Sequence, residues 1–301
     1  MKASSLSTLL PNDVLGRLER VRLQPVRRLT NPSRGEHLAG KGGSSTEFAD
    51  YRDYAPGDDV RFVDWNIFSR LNKPYMKLYR HEEELHVCLI VDASASMRYG
   101  GGGDTKLQRA CRMAAAFGIC ALTSVEKVSA HACYARGTDP VRLPPCTGRK
   151  SLPRLLKFLE TIEPGGDYPI EDAVQDVLKR HRGRGIAVIA SDFLTFGDVS
   201  GLFGRLQAAG LEPWAVQVMS PEEIDPDLTG DLRLVDCENG AGLDVTRAGD
   251  LLSYYQDHRL ALEDELAVQC RQRGGRFLPV STTEPLKDLL FGTLRRLGWL
   301  R

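Results

Sequence analysis

Three absences narrow the possibilities before any motif is considered. The seven cysteines include no CxxC pair, and Cys88, Cys111 and Cys120 fall in apolar periodic stretches. Such a set excludes a disulfide frame or a zinc ribbon and reads as small core residues in a reducing compartment. No uncharged apolar run approaches the ~20 residues of a membrane span, and the opening "MKASSLSTLLPNDV" lacks the continuous apolar core of a secretory signal. A soluble, cytoplasmic protein is the expectation. Excess charge is missing too: 40 Lys+Arg face 40 Asp+Glu in 301 residues, so the whole-molecule field does not point to nucleic acid. One local bias remains. Residues 1–43 hold eight basic and three acidic side chains, a net of +5. A solvated helix face and loop is the favoured reading, with contact to a membrane surface or an acidic partner as the alternative.

Familiar catalytic patterns also fail. "GEHLAGKG" (35–42) has phosphate-loop spacing, but Gly42 stands where the magnesium-binding hydroxyl belongs and no buried strand precedes it. "HEEELH" places His81 and His86 five residues apart, ~140° around a helix, so they cannot share one metal; two solvated histidines are expected. "DASAS" resembles the start of an aspartate-nucleophile phosphatase, but the general-acid position is Ser94. There is no GxSxG elbow.

What is present is alternation. Leu85–Val91 is a short apolar run suited to a strand covered on both faces. A helical stripe follows through Leu107, Ala110, Cys111, Ala114, Gly118 and Leu122, then strand-like "KVSAHACYA" and further helical stripes at 152–159 and 170–178. "GIAVIASDF" (185–193) is the most strand-like run. After it come a helix near 199–209, the strand "PWAVQVMS" (213–220), a probable hairpin at 232–245, a helix over 250–273, a strand at 276–280 and a closing helix. The pattern predicts an α/β fold with a doubly wound, mostly parallel sheet over 85–301. Residues 1–84 break the rhythm and are expected as an extension, opening with a basic amphipathic helix near 15–23.

Asp92 is then expected at the carboxyl tip of a central strand, with Ser94 and Ser96 in the following loop and Asp192 ending the other strong strand. Carboxyl ends of parallel strands are where open α/β sheets bind ligands. Four oxygen donors there suit a hard divalent cation, Mg²⁺ foremost and Ca²⁺ or Mn²⁺ as alternatives. The competing reading is that Asp92 and the serines only cap a helix.

Asp92, Ser94 and Ser96 reproduce the DxSxS that resembles the metal-ion-dependent adhesion site of von Willebrand factor A domains. The stretch before it is similar to the signature of the bacterial domain-of-unknown-function 58 family, through Glu47, Phe48, Arg52, Tyr54, Pro56, Gly57, Asp58, Asp59, Arg61, Asp64 and Trp65. The resemblance implies a von Willebrand A-type fold and a non-enzymatic interaction module that engages an acidic side chain through its metal. It also implies a MoxR-type AAA+ ATPase as partner, acting on a client complex. One departure stands out: the family's Gly-Gly-Thr is "GGD" here, with Asp167 in place of the threonine. A third carboxylate would bind the cation more tightly and make it less electrophilic; the alternative is that Asp167 caps the next helix. Pro56-Gly57 fits the centre of a type II turn. The charged residues around it, with Trp65 as an apolar anchor, are expected either to pin the extension or to dock a partner. A metal-dependent hydrolase, which would need a general base such as His131, and a metal-free scaffold are the remaining alternatives.

Overall fold

His86–Asp92 (β1) is buried at all seven positions, as a central parallel strand must be when helices cover both faces. The computed structural model describes residues 7–26, 30–31, 46–82, 85–100, 102–133, 141–166, 169–194, 199–227, 229–237, 240–246 and 248–301. Beside β1 run Lys127–Cys133 (β2), Val141–Thr147 (β3), Gly185–Ser191 (β4), Leu211–Met219 (β5) and Arg276–Ser281 (β6). They form one sheet in the order β6-β5-β4-β1-β2-β3. Every pairing is parallel except β3 against β2. The chain leaves β1 toward β2 on one side, while β4 leads to β5 on the other. The gap between the carboxyl ends of β1 and β4 is therefore the topological switch point, where doubly wound sheets bind ligands. The expected fold class holds.

The longer helices of this unit are Asn12–Leu18 (α1), Lys106–Thr123 (α2), Leu152–Glu160 (α3), Ile170–Arg180 (α4), Val199–Ala208 (α5) and Leu252–Gln272 (α6). Cys88, Ile90, Ala187 and Ile189 point to one face and pack with α4, α5 and the buried side of α6 at Leu266 and Cys270. The opposite face belongs to α2. A Cβ added at Gly118 would lie 2.4 Å from Leu155 Cδ2 and 3.1 Å from Leu89 Cδ1, so glycine is what lets α2 close on both α3 and β1. Phe117 of α2, Trp214 of β5 and Trp299 complete that face, with ring centroids 4.9–5.9 Å apart. Burying three aromatic rings in mutual contact is a large part of the apolar stabilisation there.

Two compact units exist: Met1–Arg27 with His86–Arg301, and Arg28–Leu85. The N-terminal helix thus groups with the sheet, not with the segment after it. α1 buries Val14, Leu15 and Leu18, and Leu23 bridges to Leu300 in antiparallel fashion.

His86 is not solvated as expected. It opens β1 inside the sheet, 3% exposed. Its Nε2 lies 3.0 Å from Ser129 Oγ, its Nδ1 lies 3.1 Å from the Arg182 carbonyl, and its ring stacks on His181. The strand expected at Leu85–Val91 runs over His86–Asp92, so the histidine belongs to the buried strand and not to the charged run before it. The phosphate-loop-like 35–42 lies outside the described residues.

In the second unit, Thr46–Asp53 and Tyr75–Glu82 pair antiparallel, with Thr30–Asn31 at the edge. Pro56 and Gly57 occupy the centre of a turn closed by Asp58 N–H to the Ala55 carbonyl at 3.0 Å. Gly57 has φ +102°, a conformation glycine adopts without strain. Arg52 forms a two-pronged ion pair with Asp58 at 2.6 and 2.7 Å, and Arg61 pairs with Asp59. Asp64 accepts from Asn66 and Ile67 N–H at the start of helix Trp65–Leu71 and pairs with Lys77 at 3.1 Å. Tyr54 N–H bonds the Pro74 carbonyl. Arg52, Asp58, Asp59, Arg61 and Asp64 thus each have an ion-pair partner within their own unit. Trp65, expected as an apolar anchor, is 59% exposed and meets Phe68 edge-on.

Candidate functional site

Asp92 is the last residue of β1, and Asp192 follows β4 directly. Because the two strands are parallel neighbours, both carboxylates emerge at one sheet edge. The loop after β1 turns at once into a short 3-10 turn, Ala95–Arg98. That turn aims both serines back at the strand ends. Ser94 and Ser96 hydroxyls are 3.0 Å apart, and Ser96 Oγ donates to Asp192 Oδ2 at 2.9 Å. Asp92 Oδ1 accepts from Ser94 N–H at 2.9 Å, and its Oδ2 from Ser191 Oγ at 2.5 Å. Four predicted donors from two distant parts of the chain therefore meet in one cluster. The loop that precedes α4 reaches the same place: Ala95 N–H bonds the Gly166 carbonyl at 2.9 Å, and Gly165 N–H bonds the Ala93 carbonyl at 2.8 Å. Asp167 and the side chains of Glu47 and Phe48 lie outside the described residues.

Three participants were not foreseen. Ser191 carries no motif of its own, because it closes a strand that otherwise reads as apolar. Lys106 is 1% exposed, and its Nζ lies 2.8 Å from Asp192 Oδ2 and 2.5 Å from Glu223 Oε1. It occupies the first turn of α2, where a lysine ordinarily reads as solvated. The usable signal is its spacing from Arg109, three residues on along a helix that is mostly apolar after Arg112. Glu223 comes from a turn of helix at Pro221–Ile224 capped reciprocally by Ser220, and "SPEE" carries that capping-box signature openly.

Electrostatics follow from burial. Asp92 is 5% exposed and Asp192 3%. Burial first, then the nearby Asp192 charge, push the Asp92 carboxyl well above its ordinary range, against hydrogen bonds from Ser191 and Ser94. Burial also opposes the Lys106 charge, but Asp192 and Glu223 outweigh it and hold the ammonium above its usual value. Two carboxylates, Asp192 and Glu223, thus share one ammonium, and Asp92 lies close enough to Asp192 to feel its charge. Two carboxylates and two hydroxyls are a hard-oxygen set, and their uncompensated negative charge fits a hard divalent cation. Among the described residues no three His, Cys, Asp or Glu side chains converge as a metal cluster; half of the donors named here are serines. Access is through Ser96, the half-buried member. It lines an open cavity of about 530 Å³ together with Arg98, Tyr99, Glu222 and Glu223.

Residues 50–261 match the family described as "protein of unknown function DUF58". An uncharacterized protein of Mycobacterium tuberculosis H37Rv is 34% identical over 227 residues, covering 74% of this chain and 70% of its own. Among solved structures, similarity extends to an aerotolerance-related membrane protein from Bacteroides fragilis. It is 14% identical with a TM-score of 0.41, over 70% of this chain and 99% of that one. A von Willebrand factor type A protein from Catenulispora acidiphila is 12% identical with a TM-score of 0.29, over 60% of this chain and 43% of that one. These two likenesses concern the fold alone.

The cytoplasmic location expected from the sequence is corrected by the same comparison. The Bacteroides protein is described as a membrane protein, and a similar structure from Vibrio fischeri as membrane spanning (15% identity, TM-score 0.21, 70% of this chain and 98% of that one). The expectation rested on thiol usage and missing apolar runs; the first does not bear on attachment to a membrane, and the second bears only on helical spans. Among the described residues no helix is long and apolar enough to cross one, a statement about those helices and no more. By the match over 50–261 and the mycobacterial relative, the chain belongs to the DUF58 family, on an α/β fold with a mostly parallel sheet.

Proposed function

We propose that this protein is a non-enzymatic interaction module. Asp92, Ser94, Ser96 and Asp192, with Asp167 as a further candidate, would hold a divalent cation at the switch point of the sheet. When bound, the cation supplies a free coordination position for a carboxylate of a partner protein. The protein's own part is to fix the donors and admit that carboxylate. Asp92 is held by Ser94 N–H and Ser191, Asp192 is held by Ser96 and Leu194 N–H, and the cavity beside Ser96 gives passage. The partner we infer is a MoxR-type AAA+ ATPase acting on a client complex.

The single observation that carries this reading is the meeting of two strand-end carboxylates with two loop hydroxyls beside an open cavity. A hydrolase would need a general base within hydrogen-bond reach of the cluster. His86 starts the strand that Asp92 ends, about 20 Å away at strand rise. His131 is 7% exposed, and burial first, then Arg142, His181, His86 and Arg180, oppose its protonation.

The test is capture of the MoxR-type ATPase from the same organism by the immobilised full chain. Retention is expected in Mg²⁺, with loss in EDTA and in Asp92→Ala. Retention by Asp92→Ala in EDTA equal to that of the parent in Mg²⁺ would remove the site from the interaction.

A further inference from the structure

The Lys106 ammonium already performs part of a cation's work at this cluster. It sits on Asp192 Oδ2, the same oxygen that accepts from Ser96. A divalent ion bound among Ser94, Ser96 and Asp192 would lie within a few ångströms of that ammonium, and like charges at such range repel strongly in a buried setting. The lysine is held where it is by backbone as well as by charge. Lys106 N–H bonds the Tyr99 carbonyl at 2.8 Å. Thr105 caps α2 in a reciprocal box with Gln108. A Cβ at Gly100 would lie 2.6 Å from Thr105 Cα, so glycine is what allows the loop to fold back on the helix start. Its second anchor, Glu223, differs from Asp192 in one respect: the Glu223 side chain is 21% exposed and lines the cavity, whereas that of Asp192 is 4% exposed. The ammonium therefore has two acceptors, one inside the cluster and one at its rim.

We propose that Lys106 is a built-in competitor of the divalent ion: its ammonium neutralises Asp192, and the ion binds fully only when the lysine leaves that carboxylate for Glu223. The inference rests on the metal reading above and adds a regulatory element to it. The cluster is charge-neutralised in part without metal, and anything that draws Lys106 toward the cavity favours metal binding. A partner carboxylate placed beside Glu222 and Glu223 would do so, which couples partner engagement to metal affinity. By linkage, partner and ion would each strengthen the other's binding.

The experiment is Mn²⁺ titration, by calorimetry and by electron paramagnetic resonance of free Mn²⁺, on the parent chain, Lys106→Met and Glu223→Gln. Each is first checked for native circular dichroism. Removing the competing charge should tighten Mn²⁺ binding on the order of tenfold or more. Glu223→Gln, which leaves Asp192 as the lysine's one carboxylate anchor among the described contacts, should weaken it severalfold. The opposite signs separate competition from general disturbance of the site. Measurable binding by Lys106→Met where the parent shows none also supports the proposal. Equal affinities in all three would overturn it while leaving the metal reading intact. Absence of Mn²⁺ binding in all three would overturn both. If Lys106→Met fails to fold, Lys106→Gln takes its place: tighter binding than the parent supports the competitor, and equal or weaker binding contradicts it.

Discussion

Lys106→Met should lower the stability of the metal-free chain by about 3 kcal/mol, read as a shift in the urea midpoint with little change in slope. The reasoning is asymmetric. Forming a buried ion pair brings little net gain, because both charges must be stripped of water. Removing one partner leaves the other buried and uncompensated, which is costly. Asp192 is the group left behind, with Asp92 nearby and of the same sign. Two controls define the cause. Lys106→Met combined with Asp192→Asn should be more stable than Lys106→Met alone, since the orphaned charge is gone. Mg²⁺ should recover part of the loss in the single variant and little in the double. Equal losses in both variants, or a loss below about 0.5 kcal/mol in the single, would mean that Lys106 and Asp192 are not energetically coupled.

Mild acid should destabilise the fold through its buried histidines. Burial first, then the positive charges of His181 and Lys127, depress His86 to about 4, against a hydrogen bond to the Arg182 carbonyl. His131 is likewise held at about 4 by burial and by Arg142. Both values lie below the ordinary 6.5 of the unfolded chain. Between these limits the unfolded state binds more protons, so stability is fully present above pH 6.5 and declines as pH falls toward 4. At pH 5 each histidine should have withdrawn about 2 kcal/mol. The raised Asp92 carboxyl works in the opposite sense, favouring the fold as pH falls. The histidine share is therefore read as a difference: denaturation midpoints from pH 7.5 to 4.5 for the parent and for His131→Gln. The variant should lose close to one proton of slope near pH 5. Superimposable slopes would show that His131 does not carry the effect.

Much of the site was legible because it obeys short-range rules. An apolar run ending in an acid, twice, with helical stripes between, fixes two parallel strand ends at one sheet edge; Asp92 and Asp192 follow from that alone. DxSxS adds two hydroxyls because a loop beginning at a strand tip must turn immediately. What escaped the sequence depends on long-range burial. A lysine in the first turn of a helix looks solvated until the helix is laid across the sheet and its tip falls onto Asp192. His86 reads both as the flank of a charged run and as part of the Leu85–Val91 strand, and only the burial of the whole strand decides between the two. The grouping of α1 with the sheet depends on contacts such as Leu23 with Leu300, at opposite ends of the chain and invisible to any periodicity. Trp65 shows the converse. Aromatic character suggested an anchor, yet a helix of seven residues in a small unit leaves its ring largely in solvent.

The central claim is that one hard cation binds among these oxygens. Crystals of the full chain grown or soaked with MnCl₂, measured at the manganese absorption edge, test it most directly. The account predicts an anomalous peak with Ser94 and Ser96 oxygens within about 2.5 Å, Asp92 and Asp192 facing it directly or through water, and Lys106 Nζ turned toward Glu223. A fully soaked crystal with no peak at the β1–β4 edge, and Lys106 still on Asp192, would contradict it.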